Sequence, residues 1–136
     1  MRQQLIFQPI GALALLTFFV LLIIPKRRFA AGRQGLVKTA DFRYGESSGV
    51  PGEVSIANRN YMNLLELPIL FYVAALMYEV SGKVDAFVLS MAWAYVALRA
   101  VHSAIHLTYN KVPHRLAAFT ASNVVLIVFW VTFFIY

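Results

Sequence analysis

Arg59, Asn63 and Glu66 recur at i, i+4 and i+7, a spacing that places all three side chains on one face of a helix. Arg99, His102 and His106 recur at i, i+3 and i+7 and form a second polar stripe. Both stripes lie in segments that otherwise read as membrane. An ionisable side chain is expensive there, so function is the default expectation. Glu66 and Arg99 can offset one another's charge, and the spacing predicts that they face each other or share one water-filled pocket away from lipid. A pair of that kind can also be purely structural, fixing how two helices pack. The surplus of donors favours a guest: Arg59, Asn63, Arg99, His102, His106 and Arg115 surround the single acid Glu66. Such a set suits an anionic ligand with several carboxylates. A metal site is the rival reading, with His102 and His106 at i, i+4 and Glu66 as a third ligand. Helical histidine pairs more often only hydrogen-bond. The chain has no cysteine, which excludes disulfides, thiolate ligands and a cysteine nucleophile. Any sulfur chemistry must come from a bound thiol.

The elements that carry these residues follow from composition. Of 136 residues, 60% are hydrophobic and 13% charged, with mean hydropathy +0.68. A soluble domain of this size rarely carries so little charge. The pattern predicts a single all-α integral membrane domain over residues 1–136, a four-helix bundle with spans at 4–25, 56–78, 86–109 and 116–136. The first apolar run lacks a small-residue cleavage site and ends in Pro25-Lys26-Arg27-Arg28, so it is expected to remain as a helix. Pro68 lies inside the second span and predicts a kink just past Glu66. His114, beside Pro113, is expected to be solvated in a turn. Asn123 is expected to form an interhelical hydrogen bond.

Net charge is +6, but the basic residues gather in connections and do not suggest nucleic-acid binding. The Lys26-to-Ser55 connection, the Asn110-to-Arg115 turn and Arg59 carry nine Lys and Arg, against Arg2 and Lys83 on the opposite side. That asymmetry predicts that the connections holding Lys26 and Lys111 are cytoplasmic and that both termini face away. Glu66 then lies about 10 Å below Arg59, and Arg99 and His106 roughly 16 and 6 Å below the end of their helix, at about 1.5 Å per residue. The two stripes overlap in depth in the cytoplasmic half. The basic first connection reads as a topology signal that can also touch anionic lipid. The aromatic residues Tyr72, Tyr78, Trp93, Tyr95, Trp130 and Tyr136 read as packing and interface residues rather than a cofactor site. The absence of an internal repeat argues against a transporter.

The two stripes together resemble the MAPEG family, membrane-associated proteins in eicosanoid and glutathione metabolism. Arg59, Asn63 and Glu66 match the pattern on that family's second helix. Arg99, His102, His106 and Arg115 fit the third-helix spacing, with His106 where tyrosine is usual. Arg27-Arg28-Phe29 after the first helix is similar as well, and Leu67 stands where some members carry tyrosine. The resemblance implies a homotrimer that binds glutathione between subunits near the cytoplasmic face. It implies that Arg115 stabilises the glutathione thiolate, and that Arg59, Asn63, Glu66, Arg99, His102 and His106 hold the tripeptide or its supporting network.

The expected activity is a membrane-bound glutathione transferase, with peroxidase turnover as a related option, that joins the thiolate to a lipophilic electrophile delivered by membrane lipid. Thiolate is the nucleophile, yet a free thiol with a pKa of about 8.5 is mostly protonated at pH 7. A guanidinium remains charged when partly buried and so favours the anion. His106 offers an alternative base, because histidine ordinarily titrates near neutrality. The second class of reading is a non-catalytic trimer that binds glutathione or lipid. A bacterial inner membrane is the expected location.

Overall fold

A computed structural model describes residues 2–136, and among them every regular element is a helix. A short 3-10 turn, Gln3–Ile6, leads into α1, Phe7–Arg33. Then follow α2 (Gly52–Leu65), α3 (Pro68–Val80), α4 (Ala86–Leu107) and α5 (Val112–Ile135). The 3-10 turn with α1, the α2–α3 pair, α4 and α5 are four segments long and apolar enough to cross a membrane. This is the all-helical, four-span membrane architecture that the hydropathy pattern predicts.

The helix ends depart from the expected spans for local reasons. Pro25 does not end α1, which continues through Lys26, Arg27 and Arg28 to Arg33. One missing N–H is tolerable where neighbouring groups hold the helix. Here Ala31 packs with Val37, Val50 and Val54, and Phe42 closes over this small cluster. The Arg28 guanidinium lies 4.5 Å from the Phe42 ring centre and pairs with Glu46 at 3.0 Å. The connection is therefore folded. Within it the Asp41 carboxylate accepts from the Lys38 N–H and the Ser47 hydroxyl at 2.8 and 2.9 Å.

Pro68 does more than kink the second span. It stands at the start of α3, and the helix breaks at Glu66 and Leu67. Proline supplies no N–H to the Leu64 carbonyl and its ring crowds that group. At the far end of α3, Gly82 takes a left-handed φ of 69°, Gly82 N–H donates to the Glu79 carbonyl, and Lys83 N–H to the Tyr78 carbonyl. This closure satisfies the last carbonyls and reverses the chain. Asp85 caps α4 by accepting from the Val88 N–H at 2.8 Å. Pro113 fits the first turn of α5, where its missing N–H costs nothing. That helix accordingly begins before Leu116 and contains His114 and Arg115, which the sequence placed in a turn. His114 is exposed, with Nδ1 3.1 Å from the Tyr109 hydroxyl.

An aromatic stack fixes the helices in the half remote from the polar stripes. Phe71 of α3 stacks on Tyr95 of α4 at 4.8 Å and on Phe129 of α5 at 5.6 Å. The Tyr78 hydroxyl donates to the Phe129 carbonyl at 2.7 Å. Leu15, Phe18, Leu22, Val131 and Phe134 remain exposed on the outside of the bundle, as lipid-facing side chains must. Asn123 departs from expectation: its Oδ1 is buried without a hydrogen-bond partner. The neighbouring Ser122 hydroxyl turns back to the Phe119 carbonyl of its own helix.

Candidate functional site

The two polar stripes do meet. Two adjoining cavities lie where the ends of α1, α2, α4 and α5 converge. The smaller, of about 320 Å³, is lined by Arg59 and Asn63 from α2, His102 and His106 from α4, and Arg115, Leu116 and Phe119 from α5. The larger, of about 760 Å³, lies between the ends of α1 and α2 and the α4–α5 turn. Arg27, Gln34, Glu53 and Asn110 line it, together with Arg59, His106 and Arg115, which border both.

The position of each side chain follows from its helix. Arg59 is exposed and Asn63 half-buried, one turn apart on α2. His102 and His106 are one turn apart on α4, only 2% and 6% exposed, with ring centres 5.6 Å apart. The Nδ1 atoms of both are buried without a partner. Buried polar atoms normally find partners, so these two are exceptions beside the cavities. Arg115 sits in the first turn of α5, where its Nη1 donates to Asn110 Oδ1 at 2.8 Å. That turn contains no acidic residue. A cation at a helix N-terminus opposes the helix dipole, and an anion there would be doubly favoured.

Arg99 and Glu66 are not placed as the sequence suggests. Arg99 is wholly enclosed at 0% exposure and borders neither cavity. Its Nη2 donates to Asn63 Oδ1 at 2.7 Å and to the Asn63 carbonyl at 3.3 Å. Its guanidinium carbon lies 5.7 Å from the Phe119 ring centre. Glu66 is exposed on the surface of the bundle, and the only ion pair among the described residues is Arg28 with Glu46. The expected Glu66–Arg99 pair is therefore not formed. The cause is the break before Pro68, where α2 ends and Glu66 becomes its last, splayed residue. His102, His106 and Glu66 do not gather into a metal site, and no other group of three such ligands occurs among the described residues.

Three contributors escape the spacing argument. Asn60, fully buried, accepts from the Ser103 hydroxyl at 3.2 Å and ties α2 to α4 beside the cavities. Its lone signal is a second amide three residues before Asn63. Phe119 lies under both His102 and Arg99, and nothing in an apolar span distinguishes it. Arg27 reaches from α1 to the Leu107 carbonyl at 2.7 Å and the Glu53 carbonyl at 3.3 Å, stapling three helix ends around the larger cavity.

The sequence profile of the MAPEG family matches residues 6–135, essentially the whole chain. No curated protein and no solved structure matches it significantly.

Proposed function

We propose, from the premise that this chain belongs to the MAPEG family, that it joins glutathione to a lipophilic electrophile at the cytoplasmic leaflet. Family membership places it among membrane proteins of glutathione-related function. The observation that carries the finer reading is the convergence of Arg59, Asn63, His102, His106 and Arg115 on one cavity. Glutathione has two carboxylates and a thiol. Arg59 and Asn63 supply a guanidinium and an amide for the carboxylates. Arg115, at the N-terminus of α5, stabilises the thiolate. His106 borders both cavities and offers an imidazole to take the thiol proton. With a halogenated aromatic substrate, the thiolate sulfur then forms a bond to the ring carbon and the halide leaves with the bonding pair. Arg99 and Glu66 do not line the cavity, and their part is to support it: Arg99 holds Asn63.

A homotrimer is the assembly that we propose. Glu66 lies midway along the Gly52–Val80 span and is exposed on the single chain. A carboxylate facing lipid at that depth is costly, so a second copy covering it is the economical solution. Both termini on the non-cytoplasmic side of a bacterial inner membrane fit the distribution of Lys and Arg.

The test is glutathione binding and turnover of a halogenated aromatic by detergent-purified protein. Saturable binding with conjugate formation supports the transferase. Thermal stabilisation by glutathione without any conjugate makes the protein a non-catalytic binder. No binding defeats both.

A further inference from the structure

We infer that Asn110 is a positioning residue whose side-chain amide oxygen holds the Arg115 guanidinium at the wall between the two cavities. The inference deepens the proposed role of Arg115 and rests on it for its functional consequence.

Asn110 has φ 47°, and it is the only non-glycine among the described residues in the left-handed region. Its N–H donates to the Ile105 carbonyl at 2.8 Å and so closes the end of α4, before Lys111 turns extended and α5 begins. Glycine adopts that backbone most easily, and the same chain uses glycine after α1 and α3, at Gly35 and Gly82. The turn alone therefore does not ask for an asparagine. The side chain supplies the reason: Oδ1 accepts from Arg115 Nη1 at 2.8 Å, five residues on.

The chemistry of the acceptor matters. An aspartate in this place would orient Arg115 equally well but would neutralise it. An amide oxygen fixes the guanidinium and leaves its full positive charge available. One of five N–H donors is used, and four remain for a guest. Asn110 and Arg115 both line the larger cavity, and Arg115 also lines the smaller. One residue thus ends α4 with its backbone and, with its side chain, sets the direction of the cation between the two cavities.

The test uses the full-length protein in detergent. Asn110→Gly keeps the left-handed backbone and deletes the amide. Asn110→Asp keeps the geometry and adds a negative charge. The first measurement needs no glutathione: the rate of phenylglyoxal modification of Arg115, followed by peptide mass spectrometry with exposed Arg33 as internal reference. Asn110→Gly should raise the Arg115 rate about two- to tenfold, the factor that a net hydrogen bond confers. Asn110→Asp should lower it below wild type. An unchanged Arg115 rate in the Gly variant overturns the inference. Should that variant fail to fold, an unchanged rate in the Asp variant does so.

The second measurement is the pH titration of thiolate absorbance from bound glutathione. Asn110→Asp should shift it upward more than Asn110→Gly, an order that a merely structural turn residue would not produce. A wild type with no thiolate signal removes the proposed role of Arg115, while the labelling rates still decide whether Asn110 holds it.

Discussion

Arg99 Nη2 donates at 2.7 Å to the side-chain oxygen of Asn63 and at 3.3 Å to its backbone carbonyl, across the gap between α4 and the end of α2. One buried cation thereby fixes a side chain of the cavity wall and caps a helix whose continuation Pro68 prevents. A cation at a helix C-terminus is favoured by the dipole. Neutral hydrogen bonds between membrane helices average only about 0.6 kcal/mol, whereas bonds to charged groups are worth about 1.5–3 kcal/mol. The second range applies, because Asn63 is the only hydrogen-bond partner that the enclosed guanidinium has among the described residues. A double-mutant cycle on Asn63→Ala and Arg99→Leu, read by unfolding in detergent, should give a coupling of roughly 1.5 kcal/mol or more. A coupling near the neutral value would remove Arg99 from its supporting role.

The same pair shows how far the sequence could be read. Spacing placed Arg59 with Asn63 and His102 with His106, because helical periodicity is fixed by backbone geometry. Four spans followed from hydropathy, because lipid tolerates little else. Which partner Arg99 would take could not follow. That choice depends on a break of two residues at Glu66 and Leu67, which turns the carboxylate outward and leaves an amide in front of the guanidinium. Phe119 was illegible, and Arg27 legible only as part of the basic Arg27-Arg28-Phe29 run, for a related reason: their contacts come from the packing of α5 and α1 against the stripes, and a single helix carries no record of its neighbours.

Arg115→Ala should abolish the thiolate signal of bound glutathione while leaving binding measurable. Arg59 and Asn63 remain in the same cavity to hold the carboxylates. Removing a single donor that stabilises charge in the transition state typically costs 10²–10³ in kcat, about 2.7–4 kcal/mol. Turnover within a factor of about three of wild type would sink that assignment.

His106→Phe and His106→Tyr separate hydrogen bonding from packing. His106 is nearly buried, borders both cavities and has an unpartnered Nδ1. Phenylalanine fills the volume and removes every polar atom, so glutathione affinity should fall about tenfold, or 1.4 kcal/mol. Tyrosine restores a hydroxyl and should recover most of that loss. Equal affinity of the two variants, measured by calorimetry, would show that the ring only packs.

The Lys38-to-Ser47 connection should loosen in acid. The Lys38 N–H and the Ser47 hydroxyl hold the Asp41 carboxyl below its ordinary value of 3.8. A carboxylate with a depressed folded pKa stabilises the fold above the unfolded value, and that contribution is lost as pH falls through the folded one. The protection of the Lys38 and Ser47 amides, their exchange relative to an unstructured peptide at the same pH, should therefore be flat from neutrality down to about pH 4, and fall only below it. Asp41→Asn should show the weaker protection already at neutral pH, because an amide accepts more weakly than a carboxylate, and the difference from wild type should vanish in acid once Asp41 is protonated. A fall in protection already at pH 6 in wild type would assign the loosening to another group.

Pro68→Ala should exchange function for stability. Alanine restores an N–H that can reach the Leu64 carbonyl and removes the ring that crowds it. The α2 and α3 segments can then run as one helix, which gains a backbone hydrogen bond worth about 1 kcal/mol. Continuity has a consequence for Asn63, whose carbonyl now accepts from Arg99 and from the Glu66 N–H at 3.4 Å. In a continuous helix that carbonyl belongs to the Leu67 N–H, so Arg99 loses one acceptor and its hold on the Asn63 side chain weakens. The expected outcome is a higher melting temperature in detergent together with weaker glutathione binding. A variant that gains stability and binds glutathione as wild type does would mean that the break is incidental to the site.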